Sequence, residues 1–286
     1  MTFPKTFNAM ESEMRRFSKY QALGNDYIVL DPINFALPLS ADRIIRLCDR
    51  HLGIGSDGIL SGPFYSDVVP QLRIYNPDGS EAEKSWNGVR IFAKYMFDRK
   101  YVETDSFNIS TKGGIVTATR NNQDATDITV FLGRLRLHGQ ESIEIEDEKY
   151  TANRVSIGNP HCVIVLDDVS EDLARRLGPS IEKHPLFPDR TNVQLVKVID
   201  RNNIQVEIWE RGAGYTMASG TSSAAAAGVC FGQGYCERDI TVHMPGGDLG
   251  VYVNDNFEIR QRGEVHKTIE DGILSKELMR ELLSLR

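Results

Sequence analysis

Along most of this chain apolar residues recur at every second position in short runs, as in Leu72-Arg73-Ile74-Tyr75, Ile128-Thr129-Val130 and Ile204-Gln205-Val206-Glu207-Ile208. A period of two sends alternate side chains to opposite faces of a strand, so sheet should dominate the fold. Phe107-Asn108-Ile109, Lys112-Gly113-Gly114 and Ile115-Val116-Thr117 read as a hairpin whose glycines supply the positive φ of its turn. A length of 286 residues is long for one simple core and short for three, which favours two domains or one large one.

Helices are fewer. Ser40 can cap a segment with Ile44, Ile45, Cys48 and Leu52 on one face, ended by Gly53, and Ser170 can cap another bearing Leu173 and Leu177. From Ser275 to Arg286, Leu278, Met279, Leu282 and Leu283 share one face of a closing amphipathic helix. Two further helices follow polar, glycine-bearing loops. One comes after Asn76-Pro77-Asp78-Gly79-Ser80 and runs from about Asn87 through Val89, Ile91, Phe92 and Tyr95; the other comes after Glu210-Arg211-Gly212-Ala213-Gly214 and is the alanine-rich stretch from Ala224 to Val229. Each half thus repeats strand, loop, serine and apolar helix, a parallel that hints at duplicated halves.

Composition narrows the function. A hydrophobic share of 41% with 26% charged residues describes an ordinary soluble globular protein. The net charge of −7 comes without a concentrated basic segment, which argues against nucleic acid or an anionic membrane as the main partner. No run of about 18 apolar residues occurs, and the amino terminus lacks the apolar stretch of a secretory signal, so a cytoplasmic location is expected. Cys48, Cys162, Cys230 and Cys236 have neither C-x-x-C spacing nor a nearby histidine pair, so buried thiols are expected rather than a zinc site or a disulfide framework. Gly53-Ile54-Gly55-Ser56-Asp57-Gly58 fits G-x-G-x-x-G, but it follows a helix and leads into Ile59-Leu60, the reverse of a dinucleotide fingerprint. We read it as a turn serving a strand.

Six loop blocks carry the specific signal: Gln21-Ala22-Leu23-Gly24-Asn25-Asp26-Tyr27, Asn76-Pro77-Asp78-Gly79-Ser80-Glu81, Asn87-Gly88-Val89-Arg90, Gly158-Asn159-Pro160-His161, Thr191-Asn192-Val193 and Trp209-Glu210-Arg211-Gly212-Ala213-Gly214. In this order and at these separations they resemble the signature blocks of the diaminopimelate epimerase family. The resemblance implies an α+β fold of two pseudo-symmetric domains, each a curled, mostly antiparallel sheet wrapped around a central helix, with the active site in the interdomain cleft. The domains it implies are residues 14–127, joined by a returning segment 265–286, and residues 128–264. It further implies a cofactor-independent isomerase converting LL-diaminopimelate to the meso form on the route to lysine. No cofactor and no metal are expected. The expected partner is a small amino-acid substrate, and a homodimer is carried over from the family by analogy.

Inverting an α-carbon without a cofactor requires a base on one face and an acid on the other. The family uses two cysteines at helix amino ends, where a thiol pKa is lowered; at the matching positions this chain has Ser85 and Ser219. A hydroxyl rarely ionises and normally needs an adjacent base. His161 and Glu210 match residues that the family sets beside its cysteines and could assist. The α-carboxylate would rest on helix amino ends near Trp86-Asn87 and Gly220-Thr221. Serine is also a preferred N-cap, so either serine can equally serve as a cap alone.

Asn76, Asn159, Asn192, Glu210 and Arg211 match the family residues that recognise the distal amino and carboxyl groups, the arginine by a bidentate fork. Asn25 matches another contact, while Gly58 stands where some members have glutamine. Trp86 replaces a small glycine and Tyr215 a glutamate, and the indole could narrow the pocket or change substrate preference. Two alternatives therefore stand beside the epimerase: a catalytically silent homologue that binds diaminopimelate, and a racemase acting on a different amino acid.

Overall fold

The computed structural model describes residues 15–285, which fall into two units: the described residues up to Val130 together with those from Glu264 onward, and Phe131–Gly263. Residue 14, where the first expected domain begins, and Arg286, where the closing helix was expected to end, lie outside the described residues.

The first unit runs β1 (Arg16–Ala22), β2 (Asn25–Leu30), α1 (Ala41–Cys48), β3 (Ile59–Phe64), β4 (Gln71–Tyr75), β5 (Glu81–Ala82), α2 (Trp86–Asp98), β6 (Ser106–Thr111), β7 (Gly114–Arg120) and β8 (Asp127–Arg134), whose last four residues pass into the second unit. The second runs β9 (Arg136–Ile145), β10 (Glu148–Ser156), β11 (Pro160–Val165), α3 (Glu171–Glu182), β12 (Asn192–Asp200), β13 (Asn203–Glu210), β14 (Gly214–Thr216), α4 (Gly220–Gly232), β15 (Asp239–Met244), β16 (Gly247–Val253) and β17 (Glu258–Glu264). The chain then returns to the first unit as β18 (His266–Ile273) and α5 (Lys276–Ser284). Strand dominates, as the alternation predicts.

The two units share one connectivity. In the first, β1–β2 is antiparallel, β2–β3 parallel, β3–β4 and β4–β5 antiparallel, β4–β6 parallel, and β6–β7 and β7–β8 antiparallel. In the second, β10–β11, β11–β12, β12–β13, β13–β14, β13–β15, β15–β16 and β16–β17 repeat that sequence of directions. An outer antiparallel strand completes each set, β18 on β1 and β9 on β10. The duplication hinted at by the sequence is thus a property of the topology.

Each unit encloses one helix. α2 is buried from Trp86 through Phe97, and α4 is buried at Gly220 and from Ser222 through Cys230. A helix buried on all sides is a core element rather than a surface one. Both end alike: Lys100 and Gly234 hold positive φ, and the amides of Tyr101 and Tyr235 reach back to the carbonyls of Met96 and Cys230 at 2.9 and 3.0 Å. Asp31 fixes the far end of α2 by accepting from the hydroxyls of Tyr95 and Tyr101, both at 2.8 Å.

The outer helices follow their caps, with corrections. Ser40, Ser170 and Ser275 each accept the N–H three residues on. α1 ends at Cys48 rather than at Gly53, because Asp49 turns extended and its carboxylate takes the amides of His51 and Leu52. Gly53 instead packs on the end of α1, where a Cβ would fall 2.0 Å from the carbonyl oxygen of Arg46. The buried face of α1 is Ile44, Leu47 and Cys48; Ile45 and Leu52 are exposed. In α5 Leu282 is buried and Leu283 is exposed. In the β6–β7 hairpin Gly114 alone supplies positive φ, whereas Gly113 packs against Lys84, whose side chain a Cβ there would meet at 2.6 Å. All four cysteines are buried free thiols. No helix of the described residues is long and apolar enough to cross a membrane.

Candidate active site

In the first unit the functional residues gather at the amino end of α2. Ser85 is its N-cap, and the hydroxyl oxygen accepts the Gly88 N–H at 3.1 Å. The same oxygen lies 3.0 Å from the Tyr27 hydroxyl, a contact in which either atom can donate. Burial pushes the Tyr27 phenol above its ordinary range, so it stays protonated at neutral pH. Asn87 is held on both sides, its amide donating to Asn25 Oδ1 at 3.2 Å and its oxygen accepting from the buried Arg90 guanidinium. Burial brings Arg90 down to about 10.

Asn25 is oriented in turn by Asp57 Oδ2 at 3.0 Å, a residue of the turn that imitates a dinucleotide fingerprint. That turn joins α1 to β3, as read from the sequence. Gly58 closes it, and a Cβ there would lie 2.6 Å from the Tyr27 ring. Lacking a side chain at 58 is what admits Tyr27 beside Ser85. Asn76 is not bonded to this group; it is exposed, and its amide donates to Ser80 Oγ at 2.9 Å. Trp86, the first residue of α2, is buried with the Lys84 ammonium 5.6 Å from its ring.

In the second unit parallel pairing of β11 with β12 sets His161 beside Asn192. His161 Nε2 lies 3.0 Å from Asn159 Oδ1, Asn192 donates to the Pro160 carbonyl at 2.9 Å, and Asn192 Oδ1 accepts the Arg211 amide at 3.0 Å. The three asparagine and histidine residues and the Arg211 backbone therefore form one hydrogen-bonded group. Burial is the main cause that pulls His161 down to about 4; the Gln194 side chain opposes the shift and the charge of Arg211 adds to it. The ring is neutral at pH 7, and with Nε2–H donated to Asn159, Nδ1 is a lone-pair nitrogen without a partner among the described residues.

The loop that carries Glu210 and Arg211 is anchored from α3. Glu182 is buried; one carboxylate oxygen accepts the Trp209 indole N–H at 2.8 Å and the other the Gly212 amide at 3.1 Å. Gly178 makes the approach feasible, since its Cβ would fall 2.5 Å from the Trp209 ring. The Arg211 guanidinium donates to the Asp189 carbonyl at 3.2 Å, and Glu210 accepts from the Thr216 hydroxyl at 3.4 Å.

Ser219 occupies the N-cap of α4 but does not cap it with its side chain. Its hydroxyl is 3.5 Å from that of Thr221, and neither His161 nor Glu210 is hydrogen-bonded to it. The amides of Gly220, Thr221 and Ser222 are the orphan donors of the first turn, and no described side chain accepts from them. Below this turn Gln194 donates to Ser222 Oγ at 3.0 Å, and Gln261 donates to the Gly220 carbonyl at 2.9 Å and to Ser223 Oγ at 2.8 Å. The two serines are therefore not equivalent: one hydroxyl is committed to its helix, and the other is not.

Sequence reasoning missed Tyr27, Glu182, Gln194 and Gln261. Tyr27 and Glu182 were visible only as members of a block and of an amphipathic helix, and the glutamines lie on strands where polar residues usually face solvent. Tyr215, singled out as a departure, is tied into the α3 layer: its hydroxyl donates to the buried Glu207 at 2.7 Å and the Arg175 guanidinium stacks 4.5 Å from its ring.

The family model described as diaminopimelate epimerase matches residues 17–138 and 154–268. Diaminopimelate epimerase 2 of Nostoc sp. is 47% identical, over 92% of this chain and 96% of that protein. Diaminopimelate epimerase of Pseudomonas syringae is 36% identical, over 82% and 90%. Among solved structures, a hydroxyproline epimerase from Agrobacterium vitis superposes with a TM-score of 0.67 over 93% of this chain and 94% of that one, at 12% identity, a likeness of fold.

Proposed function

Because the chain belongs to the diaminopimelate epimerase family, we propose that it is a cofactor-independent isomerase that inverts the α-carbon of diaminopimelate, LL to meso, in lysine biosynthesis. The observation that carries the mechanism is the first turn of α4, where free amides adjoin a serine hydroxyl not spent as a cap. Free amides and the helix dipole neutralise an α-carboxylate, which lowers the cost of a carbanion at the neighbouring carbon. Two proton-transfer groups are needed, one for each face of that carbon, and we assign them to Ser85 and Ser219.

The Tyr27 phenol beside Ser85 supplies a protonated donor that stabilises negative charge on the serine oxygen. Asn25 and Asn87 align the first of the two helix ends, with Trp86 as its apolar wall. Gly220 and Thr221 take the carboxylate, and His161 and Glu210 are assigned to proton traffic around Ser219. Asn76, Asn159, Asn192, Glu210 and Arg211 are assigned to the distal amino and carboxyl groups. We place the reaction in the cytoplasm, with a homodimer as the proposed assembly, which sedimentation would check.

Incubation with LL-diaminopimelate in deuterated water tests the reading, with solvent deuterium at the inverted α-carbon as the expected result. Absence of exchange with any amino acid sinks it. A second reading, a homologue that binds without turnover, is favoured by one observation: neither serine has a carboxylate or imidazole within hydrogen-bonding distance. Calorimetric binding of diaminopimelate with no deuterium incorporation would select it. Exchange with a single-headed amino acid but not with diaminopimelate would select a racemase of different substrate.

A further inference from the structure

We infer that the second unit carries an oligo-anion site: a cavity of about 1040 Å³, lined by Arg134, Arg136, Arg154 and Arg190 and, at the end it shares with the candidate active site, by Asn159, His161 and Arg211, that takes a small molecule bearing two or more closely spaced negative charges.

The placement follows from strand geometry. Arg134 and Arg136 are exposed on either side of the buried Leu135, so their side chains leave the same face. Arg136 pairs with Ser156 across β9 and β10, and Arg154, two residues from Ser156 along β10, shares that face. α3 covers the remainder of it, packing Leu177 and Ile181 over Ala152, Cys162 and Ile164. Where α3 stops the face is left open as the cavity, and the segment from Leu186 to Arg190 walls it and contributes the fourth arginine.

Charge is not balanced within this cavity. Asp189 is the one carboxylate in its lining. Arg154 reaches Glu141 only at 3.6 Å, and Arg190 reaches Glu182 at 3.5 Å, a carboxylate already engaged by Trp209 and Gly212. The side chains of Arg134 and Arg136 make neither a hydrogen bond nor an ion pair with any described residue. In a chain of net charge −7, gathering five guanidinium groups in one concavity costs self-repulsion that a bound anion relieves. Guanidinium forks suit phosphoryl and carboxylate oxygens alike, so the ligand is either phosphorylated or a polycarboxylate.

Titration calorimetry of the full chain with pyrophosphate and with citrate, at low ionic strength, tests the site without requiring turnover, so its outcome is independent of whether the chain epimerises anything. The expected result is saturable binding of one ion per chain. R134Q/R136Q, two exposed positions, should weaken it at least about tenfold, while R238Q, which removes a surface arginine paired with Asp255, should leave it within about twofold. Tighter pyrophosphate identifies a phosphorylated ligand, and tighter citrate a polycarboxylate. No saturable binding of either ion, or equal loss in R238Q and R134Q/R136Q, overturns the inference.

Discussion

At the scale of single residues, Ser85 and Ser219 hold the same cap position and do different work there. Ser85 satisfies an orphan amide, so Ser85→Ala should cost about 1 kcal/mol of stability. Ser219→Ala, with no cap bond to lose, should shift a urea midpoint by far less. A larger effect of the second substitution would show that the hydroxyl is committed after all. His161 makes a pH-dependent contribution whose sign is fixed by its direction. With a folded value of about 4 against 6.5 for the free side chain, the folded state binds fewer protons between those values, so stability is full above pH 6.5 and declines as pH falls toward 4. The decline attributable to this ring is roughly 3 kcal/mol. In His161→Gln, urea midpoints measured at pH 7, 5.5 and 4.5 should lose that part of the slope.

At the scale of elements, two helices are enclosed by sheets of one connectivity but filled differently. α2 brings Ile91, Phe92, Tyr95 and Met96 to its core, whereas α4 brings Ala224 to Ala227 and lets strands approach closely. What α4 lacks in apolar grip at its first turn is supplied by Gln194 and Gln261. α3 reaches the site indirectly, through Glu182. Glu182→Ala should leave the Trp209 N–H and the Gly212 amide without acceptors, at about 1–3 kcal/mol. Calorimetry on the same variant should show weaker diaminopimelate binding, because the loop presenting Glu210 and Arg211 loses its anchor. Unchanged affinity together with lowered stability would confine Glu182 to a structural part.

At the scale of the whole molecule, the scaffold and the chemistry can be separated by changing both serines together. If the helix ends and the distal residues are intact, S85C/S219C should raise the rate of deuterium exchange into diaminopimelate by on the order of 100-fold, since a thiol is far closer to neutral pKa than a hydroxyl. An absence of gain would point to Trp86 and Tyr215 as further barriers. Much of this organisation was legible in the chain itself. Alternation by two dictated the strands, serines marked three outer helices, and the block residues Asn25, Asn87, Asn159, His161 and Asn192 fell where hydrogen bonds join them in two local groups. The strands and caps are signals carried by neighbours in sequence, which local periodicity and turn chemistry suffice to write, whereas the block residues were legible only through the family resemblance. Tertiary structure decided the rest, because it depended on contacts between residues far apart in the chain. Gly58 makes room for Tyr27 across 31 positions, and Glu182 grips a loop 27 residues on. Whether a serine caps its helix or keeps its hydroxyl free is likewise settled by packing around the first turn, and no property of the residue itself distinguishes Ser85 from Ser219.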